Sequence, residues 1–166
     1  MIDLRDFRPG DEAALRAVFE SAVHEVAIRD YTRAQVDAWA PREHDTQAWA
    51  VRMQALRPVV AVVDGVVCGY ADLQPDGDID HFYVAAHAGG RGVGGALMRR
   101  ILACAAQAPS ITQLHAQVSV TAQPFFEHFG FQVVQHQVVE VRGVPLRNAL
   151  MRRATCEAWR RPISTA

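Results

Sequence analysis

The stretch Phe82-Tyr83-Val84-Ala85-Ala86-His87-Ala88-Gly89-Gly90-Arg91-Gly92-Val93-Gly94-Gly95-Ala96-Leu97 constrains the fold more than any other part of the chain. An apolar run ends, glycines recur, and a helix-forming run begins. Glycine lets a backbone come close to a ligand, and successive N–H groups at the start of a helix point at an anion. The helix dipole adds a favourable field at the same place. Phosphate is the natural guest. Charge sorting agrees: from His81 to Phe126 there is no Asp or Glu, while Arg91, Arg99 and Arg100 add positive charge to a chain whose net charge is -1. A near-neutral total argues against a dedicated nucleic-acid or membrane binder, since both need a basic excess. A local cationic block suits a compact polyanion instead.

Hydrophobic periodicity supplies the rest of the architecture. Ile2 to Phe7 alternates like a strand, and Arg8-Pro9-Gly10-Asp11 breaks it. From Glu12 to about Ile28, Leu15, Phe19 and Val23 recur at helical spacing and predict one amphipathic helix. Further helices are expected over Arg33 to Ala40 and Thr46 to Leu56. Val59 to Val63 and Val66 to Ala71 flank Asp64-Gly65, a strong short hairpin signal. A strand is expected from Asp78 to Ala85, then a helix from Val93 to about Gln107 and a strand from Gln113 to Val120. A short helix from Ala122 to Phe129, stopped by Gly130, precedes two strands joined at Arg142-Gly143. The order predicts one α/β (α+β) domain over residues 1–153: a mixed, mostly antiparallel sheet of about seven strands, with helices on its faces. Residues 154–166 read as a C-terminal tail.

Several function classes drop out. Gly90-x-Gly92-x-x-Gly95 formally matches the dinucleotide fingerprint, but it sits past the middle of the chain. It also lacks the acidic residue expected about 20 positions later, and a single strand–helix–strand unit surrounds it. All 17 basic residues are arginine. Without lysine there is neither a GxxxxGK(S/T) phosphate loop nor a pyridoxal Schiff base. The seven histidines and three cysteines form no ligand-spaced cluster, so no metal is expected. Cys68, Cys104 and Cys156 suggest no disulfide framework and fit a reducing cytoplasm. No signal peptide opens the chain, and no uncharged apolar run reaches about 18 residues, so no membrane association is expected.

The loop Gly89-Gly90-Arg91-Gly92-Val93-Gly94 resembles the Q/R-x-x-G-x-G/A pattern of the GNAT superfamily of acetyl-CoA-dependent N-acetyltransferases. A second family mark, N-x-x-A-x-x-F-Y-x-x-x-G-F, is resembled by Ser119-x-x-Ala122-x-x-Phe125-Phe126-x-x-x-Gly130-Phe131. Tyr31, Trp39-Ala40-Pro41 and Thr121-Ala122-x-Pro124-Phe125-Phe126 look most like its YafP-like branch. Gly89 stands where the family usually has Gln or Arg, and Ser119 where it has Asn. Phe126 stands where a Tyr is often credited with protonating the leaving thiolate, and phenylalanine has no proton to give.

The resemblance implies a GNAT-type splayed sheet, acetyl-CoA as cosubstrate, and direct attack by an acceptor amine on the thioester. Phe82, Tyr83 and Val84 would bind the pantetheine arm and polarise its carbonyl through backbone N–H groups. Gly89 to Ala96 would hold the pyrophosphate, and Phe126 would pack against the arm. The amine must be neutral to attack, and Asp80, just before the binding strand, is the first choice of base. The proton donor is Ser119, Tyr83 or solvent. His24, Tyr31 and Trp39 are the candidates for acceptor contact. Phe126 also motivates a second reading, an acyl-CoA-binding sensor with little turnover. Edge strands near the C-terminus make a homodimer conceivable.

Overall fold

Asp64 and Gly65 both adopt positive φ, 52° and 78°. That turn matches the right-handed twist of its flanking strands and closes a two-residue hairpin. It joins β2 (Val59–Val63) to β3 (Val66–Ala71). Arg142 and Gly143 repeat the device, with φ of 48° and 76°, between β6 (Gln132–Val141) and β7 (Val144–Ala154). A computed structural model describes residues 1–155. The sequence-predicted tail lies almost wholly outside the described residues, as does Cys156, while β7 runs on to Ala154.

The described chain holds seven strands in two sheets. In the first, β1 (Ile2–Asp6), β2, β3 and β4 (Phe82–Val84) pair antiparallel in sequence order. In the second, β7 lies between β5 (Gln113–Ser119) and β6, again antiparallel. The expected single splayed sheet is thus resolved into two halves. They meet at a parallel bridge between Asp78 and His115, where Ile79 N–H donates to His115 C=O at 2.9 Å.

Alternation along β2 and β3, shifted by a bulge at Cys68, sorts the core onto two faces. Ala61, Cys68 and Ala71 face α4 (Val93–Ala106), whose Leu97, Met98 and Ile101 are buried against them. Val60 and Tyr70 face the other way, toward α1 (Glu12–Ser21) and α3 (Thr46–Leu56), meeting Leu15, Phe19 and Met53. Full burial of a side chain of this kind is worth about 1.5–3 kcal/mol, so both helical layers are held to the sheet. Local chemistry fixes where helices begin. Thr32 accepts from Gln35 N–H, and Gln35 Oε1 accepts from Thr32 N–H, a reciprocal box opening α2 (Arg33–Trp39). Asp45 Oδ1 accepts from Gln47 and Ala48 N–H at 3.0 Å each, opening α3.

The structure departs from two expectations. The helix predicted from Glu12 to Ile28 stops being α-helical at Ser21. Ala22–Val26 widens into a π-type turn and Ala27–Arg29 tightens into a 3-10 turn. Ser21 Oγ accepts from Ala86 N–H at 3.0 Å, tying the break to the turn after β4. Such widened turns are frequent at functional sites. The strand predicted from Asp78 begins only at Phe82. Gly77 and Ile79 are paired with His115, and His81 N–H donates to the Asp72 carboxylate at 2.6 Å instead of to a strand. Asp78 and Asp80 therefore lie outside β4.

Candidate active site

The glycine loop forms as the spacing predicts, with a short 3-10 turn, Ala86–Ala88, between β4 and the glycines. Gly92 adopts φ 83°, a conformation that side chains other than glycine enter only with strain, and there α4 begins. Ala96 N–H is the first to reach back, to Gly92 C=O at 3.0 Å. The N–H groups of Val93, Gly94 and Gly95 precede it and are left for an external acceptor. At Gly94 the helix start and α5 (Gln123–His128) come so close that an added Cβ would lie 3.2 Å from the Phe125 ring. An added Cβ on Gly95 would lie 3.2 Å from Arg99 Nη1, so that guanidinium folds back over the helix start.

Backbone direction in β4 supplies a second set of donors. Ala85 N–H donates to Cys68 C=O, Asp72 N–H donates to His81 C=O, and Tyr83 is registered opposite Tyr70. Alternate residues of an antiparallel strand address the same neighbour. Residues 81, 83 and 85 therefore face β3, and the N–H and C=O groups of Phe82 and Val84 face away from it. Beyond the Asp78–His115 bridge β5 has diverged, and a cleft of about 430 Å³ fills the gap.

Phe82, Tyr83, Val84, Gly89, Gly90, Gly92, Val93, Gly94, Gly95, Ser119 and Phe126 line this cleft, as does Trp39. Arg91 and Ala96 belong to the same turn without lining it. Ala22 and Val26 of the π-type turn, which the sequence gave no reason to pick as site residues, also line the cleft, with Thr121 and Phe125. A smaller chamber of about 110 Å³ adjoins the cleft, and Trp39, Tyr83 and Ser119 line both. The chamber also takes in Tyr31, Gln117, Leu146, Arg147 and Asn148. Asn148 was invisible in the sequence. It enters because β7 inserts between β5 and β6, which sets it opposite both Ser119 and Gln137.

Three residues picked from the sequence stand differently. Asp80 lines neither cavity; its Oδ2 accepts from Arg52 Nη2 at 2.6 Å on an exposed edge. His24 belongs to the π-type turn and lines neither cavity; its Nε2 lies 2.7 Å from Ala40 C=O, an acceptor, so that nitrogen carries the proton. Tyr31 reaches the chamber, but its hydroxyl donates to Arg147 C=O at 2.5 Å and accepts from Val120 N–H at 2.9 Å. It bridges β5 and β7 and is committed in both directions.

Burial sets the protonation of the surrounding groups. Tyr83 is held well above the usual phenol range, chiefly by burial, and stays protonated at neutral pH. Trp39 Nε1 donates to its oxygen at 3.3 Å, which leaves the Tyr83 O–H free to donate. Behind it, His81 is pushed down to about 4 by burial and is neutral. Its Nε2 accepts from Arg52 Nε at 3.3 Å, so Nδ1 donates to Tyr70 Oη at 3.0 Å. Asp72, fully buried, is pushed up to about 6, chiefly by desolvation. Among the described residues no three His, Cys, Asp or Glu side chains gather to hold a metal ion, and no helix is long and apolar enough to cross a membrane.

Residues 27–151 match the family Acetyltransferase (GNAT) domain. The chain is 33% identical over 151 residues to YafP of Escherichia coli K12, an uncharacterised N-acetyltransferase, covering 91% of this chain and 95% of YafP. It is similar in structure to a GCN5-related N-acetyltransferase from Rhodopseudomonas palustris, with a TM-score of 0.85 and 31% identity over 92% of this chain and 94% of that one. The acetyltransferase YncA of Salmonella typhimurium, solved with acetyl-CoA, shares the fold at a TM-score of 0.68 and 21% identity, over 99% of each chain.

Proposed function

The chain belongs to the GNAT acetyltransferase family, and from that premise we propose that it moves the acetyl group of acetyl-CoA to a primary amine at the junction of cleft and chamber. The carrying observation is that one cleft joins the free N–H groups opening α4 to the outward-facing N–H groups of β4. A long thiol ester bearing a pyrophosphate fits both sets at once, phosphates on Val93 to Gly95 and the extended arm along Phe82 to Val84. Acetyl-CoA supplies an activated acyl carbon. The Val84 and Phe82 N–H groups polarise its carbonyl, and the aromatic wall of Phe82, Phe125 and Phe126 keeps water from the arm.

An N–C bond forms and the C–S bond breaks; the amine loses a proton and the thiolate gains one. The acquired proton comes from Tyr83, whose O–H is free and which regains a proton from water in the cleft, with Ser119 lining the same junction. Ser119 Oγ accepts from Ala122 N–H at 3.2 Å and so also keeps its own proton to donate. These two hydroxyls answer the loss of the tyrosine that Phe126 replaces, which favours transfer over a sensing role. No carboxylate lines either cavity, so the amine's proton leaves to water in the open cleft, and Asp80 keeps to Arg52. Trp39 and Tyr31 wall the acceptor side. His24 acts on it indirectly, by anchoring Ala40 next to Trp39.

Thermal stability with acetyl-CoA, CoA and NAD tests the cofactor half. A ligand at 100 times its Kd adds about 2.7 kcal/mol. A rise in Tm with both CoA species and none with NAD is expected; absence of both CoA shifts would undo the reading. Amine-dependent thiol release with a mass of +42 on the product, the acetyl increment, tests the transfer half. The same proposal includes a reducing cytoplasm, supported by the free Cys68 and Cys104, and pairing of two copies along the outer edge of β6, where Val134 and Val138 are exposed. A monomeric mass at high concentration would remove the dimer.

A further inference from the structure

One buried polar atom beside the small chamber has no partner among the described residues: Oδ1 of Asn148. Asn148 pairs across the strands with Ser119 of β5 and with Gln137 of β6, so the three side chains share one face of the sheet. Gln137 gives its Nε2 to Gln117 Oε1 at 3.1 Å, and Tyr31 gives its hydroxyl proton to Arg147 C=O. Neither donor is left for Asn148. A buried acceptor without a donor costs stability, and native folds leave few of them. One in the wall of a cavity can be met by what enters the cavity. Asn148 lines the chamber, and so does Leu146, two positions earlier on the same face. The last torsion of an asparagine is broad and soft, so its oxygen turns toward a donor in the chamber at little cost.

The rest of the lining limits what carries that donor. Tyr31 and Trp39 meet edge to face with centroids 5.5 Å apart, and Val141 and Leu146 add aliphatic carbon. Among the described residues no carboxylate lines the chamber or the cleft. An N–H donor on an apolar body suits these walls. Ser119, directly across from Asn148, lines chamber and cleft alike, so a nitrogen held by Asn148 is near the junction of the two.

Resting on the acetyl-transfer reading, we propose that Asn148 selects a primary amine: its Oδ1 accepts one N–H of the acceptor nitrogen, while the other N–H is the one the reaction removes. The apolar group of the acceptor lies against Trp39 and Tyr31. The count of hydrogens makes the selection. A neutral primary amine has two. As its N–C bond forms and the C–S bond breaks, one proton leaves to water and the thiolate gains one from Tyr83. The other hydrogen stays on the amide product, still held by Asn148. A secondary amine has a single N–H, which the reaction takes, and its N-methyl group would press on Oδ1. A site built to pair a polar group rejects the analogue that leaves it unpaired far more strongly than a wall rejects a methylene.

The test is a matched panel with the full-length enzyme and saturating acetyl-CoA. Propylamine, benzylamine and phenethylamine are each compared with their N-methyl derivatives, which are of similar basicity. At least one primary amine is expected to exceed its N-methyl partner by about 10-fold or more in kcat/KM, the worth of one hydrogen bond to a buried group. Equal or better turnover of the N-methyl partners would overturn the proposal. Turnover of none of the panel, while acetyl-CoA still raises Tm, would overturn it too and leave the cofactor reading standing. If no CoA species raises Tm, both fall.

Bulk alone could also disfavour an N-methyl group, and two variants separate the causes. Asn148→Leu keeps the branched shape and removes the acceptor. It should raise the KM of the preferred primary amine by about 10-fold and shrink its advantage over the N-methyl partner to about twofold or less. Asn148→Asp keeps an oxygen at the same place and should keep the advantage. The KM for acetyl-CoA should stay within about twofold in both, because Asn148 does not line the main cleft. An undiminished advantage in Asn148→Leu, with Tm and acetyl-CoA binding intact, would assign the selection to bulk and overturn the role of Oδ1. Should Asn148→Leu fail to fold, loss of the advantage in Asn148→Asp would overturn it.

Discussion

At the scale of single residues the candidate site turns on where a proton can come from. Phe126 is buried among Phe82, Phe125 and Phe131 and presents only ring carbons. Tyr83, on the other side of β4, packs edge-on against Phe19 and keeps a protonated hydroxyl aimed at the junction. Tyr83→Phe preserves that packing and removes one O–H. We expect kcat to fall on the order of 100-fold, the lower range for a positioned acid, with the KM for acetyl-CoA near wild type. Ser119→Ala should cost less, since Ser119 also serves the backbone of Ala122. If kcat is unmoved in Tyr83→Phe, the thiolate takes its proton from water. The sequence disclosed the missing hydroxyl at Phe126 and offered Tyr83 as one replacement. It could not choose, because the choice rests on Trp39 Nε1, 44 positions away in the chain, occupying the lone pair of Tyr83.

Elements that carry their own start and stop signals were legible in advance. Asp64-Gly65, Thr32 with Gln35, and Asp45 act within a few positions of themselves, and the strands and helices they bound appear where expected. Elements shaped by a distant partner were not legible. The π-type turn answers to Ser21 and Ala86, and the late start of β4 to Asp72 and His81. The Tyr31 hydroxyl is a third such tie, holding the ends of β5 and β7 at the chamber. Tyr31→Phe leaves two part-buried backbone groups short of a partner, at about 1 kcal/mol or more. For a domain this size we expect Tm to drop by several degrees, with the CoA-induced rise retained; an unchanged Tm would mean that water takes the hydroxyl's place. Asp72 permits a test with a definite sign. Its folded pKa is raised from 3.8 to about 6, so the protonated form is favoured on folding and the contribution is lost as pH rises through about 6. Asp72→Asn lacks that loss. Relative to wild type it should therefore gain stability between about pH 4 and pH 6, by an amount on the order of 3 kcal/mol. His81, depressed to about 4, slopes the other way and is common to both proteins. Parallel pH curves for the two would show that Asp72 is ionised throughout.

Across the whole molecule, charge was the most readable property and shape the least. The cleft exists because two antiparallel sheets touch at one bridge and then separate, and no local pattern in β4 or β5 announces where pairing stops. The acid-free stretch from His81 to Phe126, by contrast, is visible in the sequence and leaves Arg91, Arg99 and Arg100 all exposed. None of the three makes an ion pair among the described residues, so their fields are cancelled by solvent ions alone. The Debye length shrinks from about 10 Å at 0.1 M salt to about 3 Å at 1 M. In the proposed binding mode the exposed arginines act over the larger distance, whereas the N–H groups of Val93 to Gly95 act in contact and are little screened. The KM for acetyl-CoA should therefore rise several-fold between about 0.05 M and 0.5 M salt, while kcat, which the proposed mechanism assigns to Tyr83 and the β4 backbone, stays level. Replacing the three arginines by glutamine should start from the high KM and flatten its salt dependence. A flat profile in the wild type would assign the phosphates to the helix start alone and leave the arginines with no part in binding.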